Sequence, residues 1–437
     1  MRLSLPSPRK RRRQISVARK FVGALLVKGV DAIGQGWLWL TVLLLPVLAI
    51  AGGLGFQAAG FLIGVSGLVA CLLDRSQTHY LNSLWPVFLL AFVFWAWLST
   101  LWSPHGSVFF GGNASILFGL VLSLLFVPLV VLRLSDRAKT ALVWVVIAVG
   151  LSGVVALLID AASDFALSLM GDPVNAGEDP IKRRGDAEMN LGRGQVSYAQ
   201  LLWPVAALIM LRIKRGWVLA LTAFLGLLIS AHLNNLSIIF PALILAGGFA
   251  GLAYWKPKLG IRLAFALAIA SVVFAPLLGI ISSFIDVEVL RKLPLSWEHR
   301  IRMWAYSWEL IQNAPLIGNG FDASRAYEDL TFRAPDGRDI VVMSMHPHNI
   351  GLHIWLETGI VGGLLFVGFL LSLMKLVLKI SETSLQAFVV TGLIVTITTS
   401  GAVTVGVWQH WWWALVVIAA SLLCLMSKSQ TKTALDF

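Results

Sequence analysis

Five polar side chains crowd into the stretch that runs from His346-Pro347-His348-Asn349 through His353 to Glu357, in a chain that is otherwise largely apolar. Histidine is the side chain whose ordinary pKa lets it take and give protons near neutrality, so one reading is general base catalysis by one imidazole. Pro347 favours extended backbone at His346, and residues two apart in extended backbone point the same way. His346 and His348 are therefore expected to face one cavity, with Asn349 able to orient a ring through its amide. Two other readings stand beside catalysis: a metal site built from His346, His348, His353 and Glu357, or histidines that cap a helix entrance. The apolar run after Asn349 predicts a helix that starts there, with His353 and Glu357 one turn apart.

A second helix is expected upstream, from Trp297 to Gln312, with Ser296 capping its start and Pro315 and the turn Gly318-Asn319-Gly320 closing it. Arg300, Trp304, Trp308 and Ile311 share one of its faces. That face either dips into the membrane and aims Arg300 at the head groups, or covers the mouth of a helix bundle. Arg193, Arg291 and Arg302 are further cations in the same polar regions, and arginine suits an anion such as phosphate. The opposing reading is that long loops cross a membrane whatever their charge, and for Lys182–Arg184 a solvated face is the better reading.

These residues must be positioned by membrane helices. The chain has 437 residues, of which 58% are hydrophobic and 13% charged, where a soluble domain carries roughly 25% charged residues. Apolar stretches predict twelve spans at 36–52, 56–73, 83–101, 114–132, 140–160, 196–211, 217–232, 236–254, 263–284, 351–374, 386–404 and 408–426. The expected class is an all-α polytopic membrane protein. Residues 1–35 are a basic cytoplasmic segment whose Phe21–Ile33 stretch lies at the interface, and 427–437 form a cytoplasmic tail. Polar loops at about 161–195 and, between spans 9 and 10, at 285–350 lie on the opposite, non-cytoplasmic side.

Basic groups support that topology. Arg9–Arg13, Arg19 and Lys20 precede the first span, and Arg75, Arg133, Lys214, Lys256, Lys375, Lys428 and Lys432 fall on the same side, which places both termini in the cytoplasm. The net charge of +12 is read as topology together with contact to membrane lipids, and nucleic acid is excluded for want of basic and aromatic residues interleaved in a soluble domain. No cleavable signal is expected. Of the 18 tryptophans, Trp95, Trp97 and Trp102, and Trp408 with Trp411–Trp413, read as interfacial belts. Gly60/Gly64 and Gly247/Gly251 read as close helix packing. Cys71 and Cys424 imply neither a disulfide framework nor a metal cluster.

The motifs resemble the O-antigen ligase and O-antigen polymerase superfamily, and ligases more closely. That family carries His-Asn, nine residues, then Gly-x-x-Gly, which here is His348-Asn349, Ile350–Thr358 and Gly359-Ile360-Val361-Gly362. It also carries Arg-x-x-x-Trp before Pro-x-x-Gly-x-Gly, here Arg300–Trp304 and Pro315–Gly320. The likeness covers most of the C-terminal half, and the N-terminal half matches only in topology. Where many members have Ser-Arg-Gly near the seventh span, this chain has Ser230-Ala231-His232-Leu233-Asn234-Asn235-Leu236-Ser237, without arginine. Arg193 resembles the arginine of the earlier periplasmic loop.

The resemblance implies glycosyl transfer at the periplasmic face of the bacterial inner membrane, from undecaprenyl pyrophosphate to lipid A-core. His348 would be the base, with His346 beside it, and Arg193, Arg300, Arg302 and Arg291 would hold the pyrophosphate. Asn349, Glu357 and Trp304 would support them, with no metal or cofactor required. A polymerase of lipid-linked repeats is the alternative. A polyprenyl-glycan transporter would place its ionisable residues near the bilayer midplane, whereas here they collect in the outer loops.

Overall fold

Proline and glycine set most of the helix boundaries, and two breaks they impose position the candidate site. The computed structural model describes residues 8–105, 112–170, 179–234, 238–334, 337–343 and 345–426, with side chains from residue 23 onward apart from those of 112–114. The side chains of Arg9–Lys20, and Asp172, Glu178, Asn235–Ser237, Lys428, Lys432 and the 427–437 tail, lie outside the described residues.

The order begins α1 (Pro8–Leu43), α2 (Leu45–Ile50), α3 (Phe56–Leu73), α4 (Leu84–Leu98), α5 (Gly112–Leu132), α6 (Asp136–Ala162) and α7 (Ala166–Met170). It continues with α8 (Pro180–Arg212), α9 (Gly216–Leu233), α10 (Ile239–Trp255), α11 (Pro257–Val273), α12 (Ala275–Ser283), α13 (Val287–Leu290) and α14 (Leu295–Asn313). A small antiparallel hairpin, β1 (Thr331–Arg333) and β2 (Asp339–Val341), precedes α15 (Ile350–Ile380), α16 (Ser384–Gly401) and α17 (His410–Leu422). The protein is thus an all-α polytopic membrane protein.

Among the described residues, eight helices are long and apolar enough to cross a membrane, or nine if α11 and α12 form one bent span. Ile239–Trp255 and His410–Met426 are shorter apolar helices at the places expected for the eighth and twelfth spans.

Several expectations need correction. Phe21–Ile33 is not a separate helix but part of continuous α1, in which Asp31 pairs with Arg133 at 2.7 Å, and Arg133 also holds Asp74 at 3.0 Å. The stretch 161–195 is largely helical: α8 starts at an Asp179 cap and runs unbroken through Gly192-Arg193-Gly194 into the span. Trp408, Trp411, Trp412 and Trp413 are not a belt but core, at 0 to 8% exposure, packed with Phe92 and Phe366. Of the two glycine pairs only Gly60/Gly64 packs, against Ala414, Ser123 and Leu122. Nothing stands within 4 Å of where a side chain at Gly247 or Gly251 would begin.

Two helix breaks shape the site. Pro276 has no N–H and its ring crowds the carbonyl four residues back, so α11 and α12 meet at 50°. The freed Val272 carbonyl accepts the Trp355 indole N–H at 2.8 Å. The second break is inside α15, at Gly359 (φ 61, ψ −163), a conformation essentially restricted to glycine. Here the Pro315–Gly320 turn docks. Asn319 and Gly320 donate to the carbonyls of Leu356 (2.8 Å) and Glu357 (3.0 Å), and Ile360 and Val361 donate to those of Pro315 (3.0 Å) and Leu316 (3.3 Å). Trp95 donates to Thr358 O at 2.9 Å and Trp102 to Gly318 O at 3.0 Å. The carbonyls of Leu356, Glu357 and Thr358 and the amides of Ile360 and Val361 at the break are thereby paired, as a buried backbone requires. The two glycine motifs of the sequence are the two halves of this joint.

A Cβ at Gly359 would stand 2.5 Å from Gly318 N and Leu316 O. Gly359→Ala is expected to cost about 1–3 kcal/mol in backbone strain with the clash added, read as a lower Tm in detergent. Gly247→Ala, into open space, is expected to change stability by less than about 0.5 kcal/mol. Equal Tm values for the two variants would contradict the joint.

Candidate active site

α14 carries the Arg300 face onto the bundle. Trp304 and Ile311 are buried with Ala275 of α12 and Leu352 and Leu356 of α15, so the face covers helices of the bundle. The helix begins at Leu295 behind Pro294, and Ser296 lies inside it, where its side chain caps nothing and its carbonyl accepts Arg300 Nη1 at 2.7 Å.

The 31 residues of α15 would extend about 46 Å, beyond the about 30 Å hydrocarbon core. The part before Gly359 is the site's platform. Glu357, fully buried there, accepts from Trp408 Nε1 (2.5 Å), Asp322 N (2.7 Å), Ser324 Oγ (2.6 Å) and Ser324 N (3.1 Å). His353 Nε2 stands 3.0 Å from Glu357 Oε1 at an angle poor for a hydrogen bond. Glu357 therefore clamps the 319–324 loop to α15, and removing it would strand several buried donors.

The connection Ala402–Gln409, between the last two long helices, holds nearly every residue of the cluster. Val403 O accepts Arg300 Nε at 2.8 Å, Ala402 O accepts Asn349 Nδ2 at 2.9 Å, and Thr404 O accepts His348 Nδ1 at 2.9 Å. Val407 N donates to His353 Nδ1 at 3.1 Å, and the Gln409 carboxamide lies 2.8 Å from His346 Nε2. Sequence reasoning missed this segment, since it contributes mostly backbone atoms. The polar Gln409, next to Trp408, was the available signal.

His346 and His348 do face each other, with ring centroids 4.4 Å apart. The route differs from the extended one expected, because His348 has φ 50 and turns back so that its N–H reaches His346 Nδ1 at 3.2 Å. A carbonyl can only accept, so the bond to Thr404 puts the His348 ring proton on Nδ1 and leaves Nε2 as the bare nitrogen. Among the described residues Nε2 has no hydrogen-bond partner. Burial, opposed by the Thr404 bond and aided by the Arg300 charge, pushes the His348 pKa down to about 4. Burial and the neighbouring His348 push His346 well below its ordinary value.

Trp304 donates to Pro347 O at 3.0 Å and so fixes the proline between the two rings. Asn349 does not orient a ring: its Oδ1 caps α15 through Leu352 N at 2.9 Å, and its Nδ2 is the group on Ala402. Arg300, half-buried over the Trp297 ring, is not paired with a carboxylate, and burial pulls its pKa below the ordinary value. Among the described residues the Arg193 guanidinium hydrogen-bonds Asn190 at 3.5 Å, with the Asp186 carboxylate also acting on its charge, and that charge lowers the proton affinity of both His346 and His348.

The structure does not bring the other two arginines together with these. Arg302 is bound to buried Glu298 at 2.7 Å and lies over the Phe332 ring, and Arg291 is exposed after α13. Ser230, where the resemblance departs, joins Gln195 and Asn234 in a buried network. Among the described residues no group of three or more His, Cys, Asp or Glu side chains is arranged to hold a metal ion.

A multi-pass helical bundle with a neutral imidazole in the field of two arginines that form no salt bridge among the described residues suits transfer chemistry on an anionic, membrane-embedded substrate. Residues 201–367 match the O-antigen ligase family, a match that supports the O-antigen ligase superfamily for that part of the chain. The match supports function of the O-antigen ligase or polymerase type, which in general means glycosyl transfer between a lipid-linked glycan and a lipid acceptor. No curated protein and no solved structure matches the chain. Arg193 and the Ala402–Gln409 segment lie outside the matched residues.

Proposed function

We propose that this protein is an O-antigen ligase of the bacterial inner membrane, with both termini cytoplasmic and the site periplasmic. It moves a glycan from undecaprenyl pyrophosphate to lipid A-core. The observation that carries this reading is the bare Nε2 of His348 beside Arg300 and Arg193, neither paired with a carboxylate.

His348 Nε2 takes the proton of the acceptor hydroxyl as its oxygen bonds to the anomeric carbon. The anomeric carbon–oxygen bond to pyrophosphate breaks, and undecaprenyl pyrophosphate leaves with the electron pair. Arg300 and Arg193 face the charge that builds on it, and as neither is in a salt bridge among the described residues, both guanidinium groups remain available to the leaving group. A single displacement inverts the anomeric centre. The proton on the imidazolium then passes to the departing pyrophosphate or to solvent. Arg302 and Arg291 are left outside this step, and Asn349, Trp304 and Glu357 hold the backbone that aims His348.

Lipopolysaccharide gels of a deletion strain, with lipid-linked glycan extracted in parallel, test the assignment. Bare lipid A-core with long chains accumulating on undecaprenyl pyrophosphate is the expected result. Core bearing one repeat and no long chains would make the protein a polymerase instead.

A further inference from the structure

His346 presents a hydrogen-bonding problem that one rotation solves. Its Nδ1 accepts the backbone N–H of His348 at 3.2 Å, so that nitrogen must be bare and the ring proton must sit on Nε2. Yet the Gln409 amide nitrogen, itself only a donor, stands 2.8 Å from Nε2. Meanwhile Gln409 Oε1 is buried without a hydrogen-bond partner. The two ends of a carboxamide are distinguished only by their hydrogen bonds. Turning this one by about 180° sets Oε1 on the Nε2–H and removes both conflicts.

We propose that Gln409 is a positioning residue for glycan transfer: it fixes the proton of His346 on Nε2, and His346 Nδ1 thereby holds the backbone of His348. This rests on the reading of His348 as the base.

The geometry makes the chain of contacts consequential. His348 has φ 50, where a residue other than glycine is strained and stays only if its surroundings hold it. Its backbone N–H is held by His346 and its ring by Thr404 O, so the orientation of Nε2 is fixed. If His346 carried its proton on Nδ1 instead, that proton would meet the His348 N–H head on, and the strained turn would lose its anchor. Gly406 closes off other ring positions, since a Cβ there would lie 2.9 Å from His346 Cγ and 2.7 Å from His353 Nδ1. His348, His353, Arg325 and Arg193 all oppose a charge on His346, and the Glu357 carboxylate stands beyond the His353 ring, held by Trp408, Asp322 and Ser324. His346 therefore stays neutral, and which nitrogen carries its proton is left to Gln409.

The test measures initial rates of purified full-length protein, with an undecaprenyl-pyrophosphate oligosaccharide as donor and lipid A-core as acceptor, between about pH 6 and about pH 9. Gln409→Leu removes the acceptor; kcat is expected to fall about tenfold, with donor KM within about twofold. Gln409→Glu keeps an acceptor of the same shape but adds a negative charge, which raises the His346 pKa. Below that raised pKa the imidazolium carries a proton on Nδ1 as well. Gln409→Glu is thus expected to approach the wild-type rate at high pH and to lose it as pH falls.

Wild-type kcat in Gln409→Leu, or equal and pH-independent losses in both variants, would overturn the proposal, the second result marking a packing role alone. His348→Ala in the same assay separates the two levels. If it is inactive while Gln409→Leu is normal, only the positioning role fails. If it transfers at the wild-type rate, the base reading fails and this inference with it.

Discussion

His348→Ala is expected to lower glycan transfer by about 10²- to 10⁴-fold, the usual contribution of a positioned general base, with protein level and donor KM little changed. The side chain makes one hydrogen bond, to Thr404 O, and the backbone bond to His346 survives the substitution, so a loss of rate would not trace to a loss of fold. The pH dependence follows from burial. A base must be neutral to act, and the His348 pKa is held down at about 4. The kcat/KM of the free enzyme should therefore be flat above about pH 5 and fall as pH drops through about 4. Stability moves in the same direction. The folded pKa lies below the unfolded value of about 6.5, so the unfolded chain binds the proton more readily between the two. The native state then has its full stability above about pH 6.5 and loses some as pH falls from there toward 4. An acid limb near pH 6.5 in kcat/KM, shared by wild type and His346 variants, would place the titrating group elsewhere.

Arg300→Gln is expected to reduce kcat by about 10²- to 10³-fold, the range seen when a donor aimed at developing charge is removed. Gln keeps part of the hydrogen bonding but none of the charge. Arg300 uses Nε on Val403 O and Nη1 on Ser296 O, which fixes the guanidinium plane and leaves Nη2 for a further acceptor. Arg300→Lys restores charge without that fork, so it should recover only part of the rate. Arg193→Gln should act in the same direction. The double variant is expected to lose less than the product of the single losses, because both arginines serve one leaving group. A normal kcat with a raised donor KM in Arg300→Gln would mean that Arg300 binds the ground state and the transition state equally.

How much of this was legible in the sequence depended on which atoms do the work. Gly359, Gly318, Pro315, His348 and Arg300 could be singled out because their side chains, or the lack of one, restrict what the backbone or the chemistry can do. The joint between the two glycine motifs was not legible, since spacing fixes a face and not what meets it. Gly60/Gly64 and Gly247/Gly251 make the same point, with identical spacing and only one pair packed. Ala402–Thr404 escaped notice because their carbonyls act and their side chains do not. Tryptophan suits both a membrane interface and a helical core, so composition alone assigned Trp408 and Trp411–Trp413 to a belt, whereas Trp408 donates to Glu357. Arg302 looked like a site cation until its pairing with Glu298, one turn back on α14, was seen.

The central claim is a direct displacement at the anomeric carbon with His348 as base. Its most direct test is a reaction containing purified protein, an undecaprenyl-pyrophosphate oligosaccharide of defined anomeric configuration and lipid A-core, with no other enzyme. The new linkage is read by NMR for wild type and His348→Ala. The account predicts transfer by the wild type with inverted configuration and none by His348→Ala. A retained configuration, which requires a covalent glycosyl-enzyme, or undiminished transfer by His348→Ala, would contradict it.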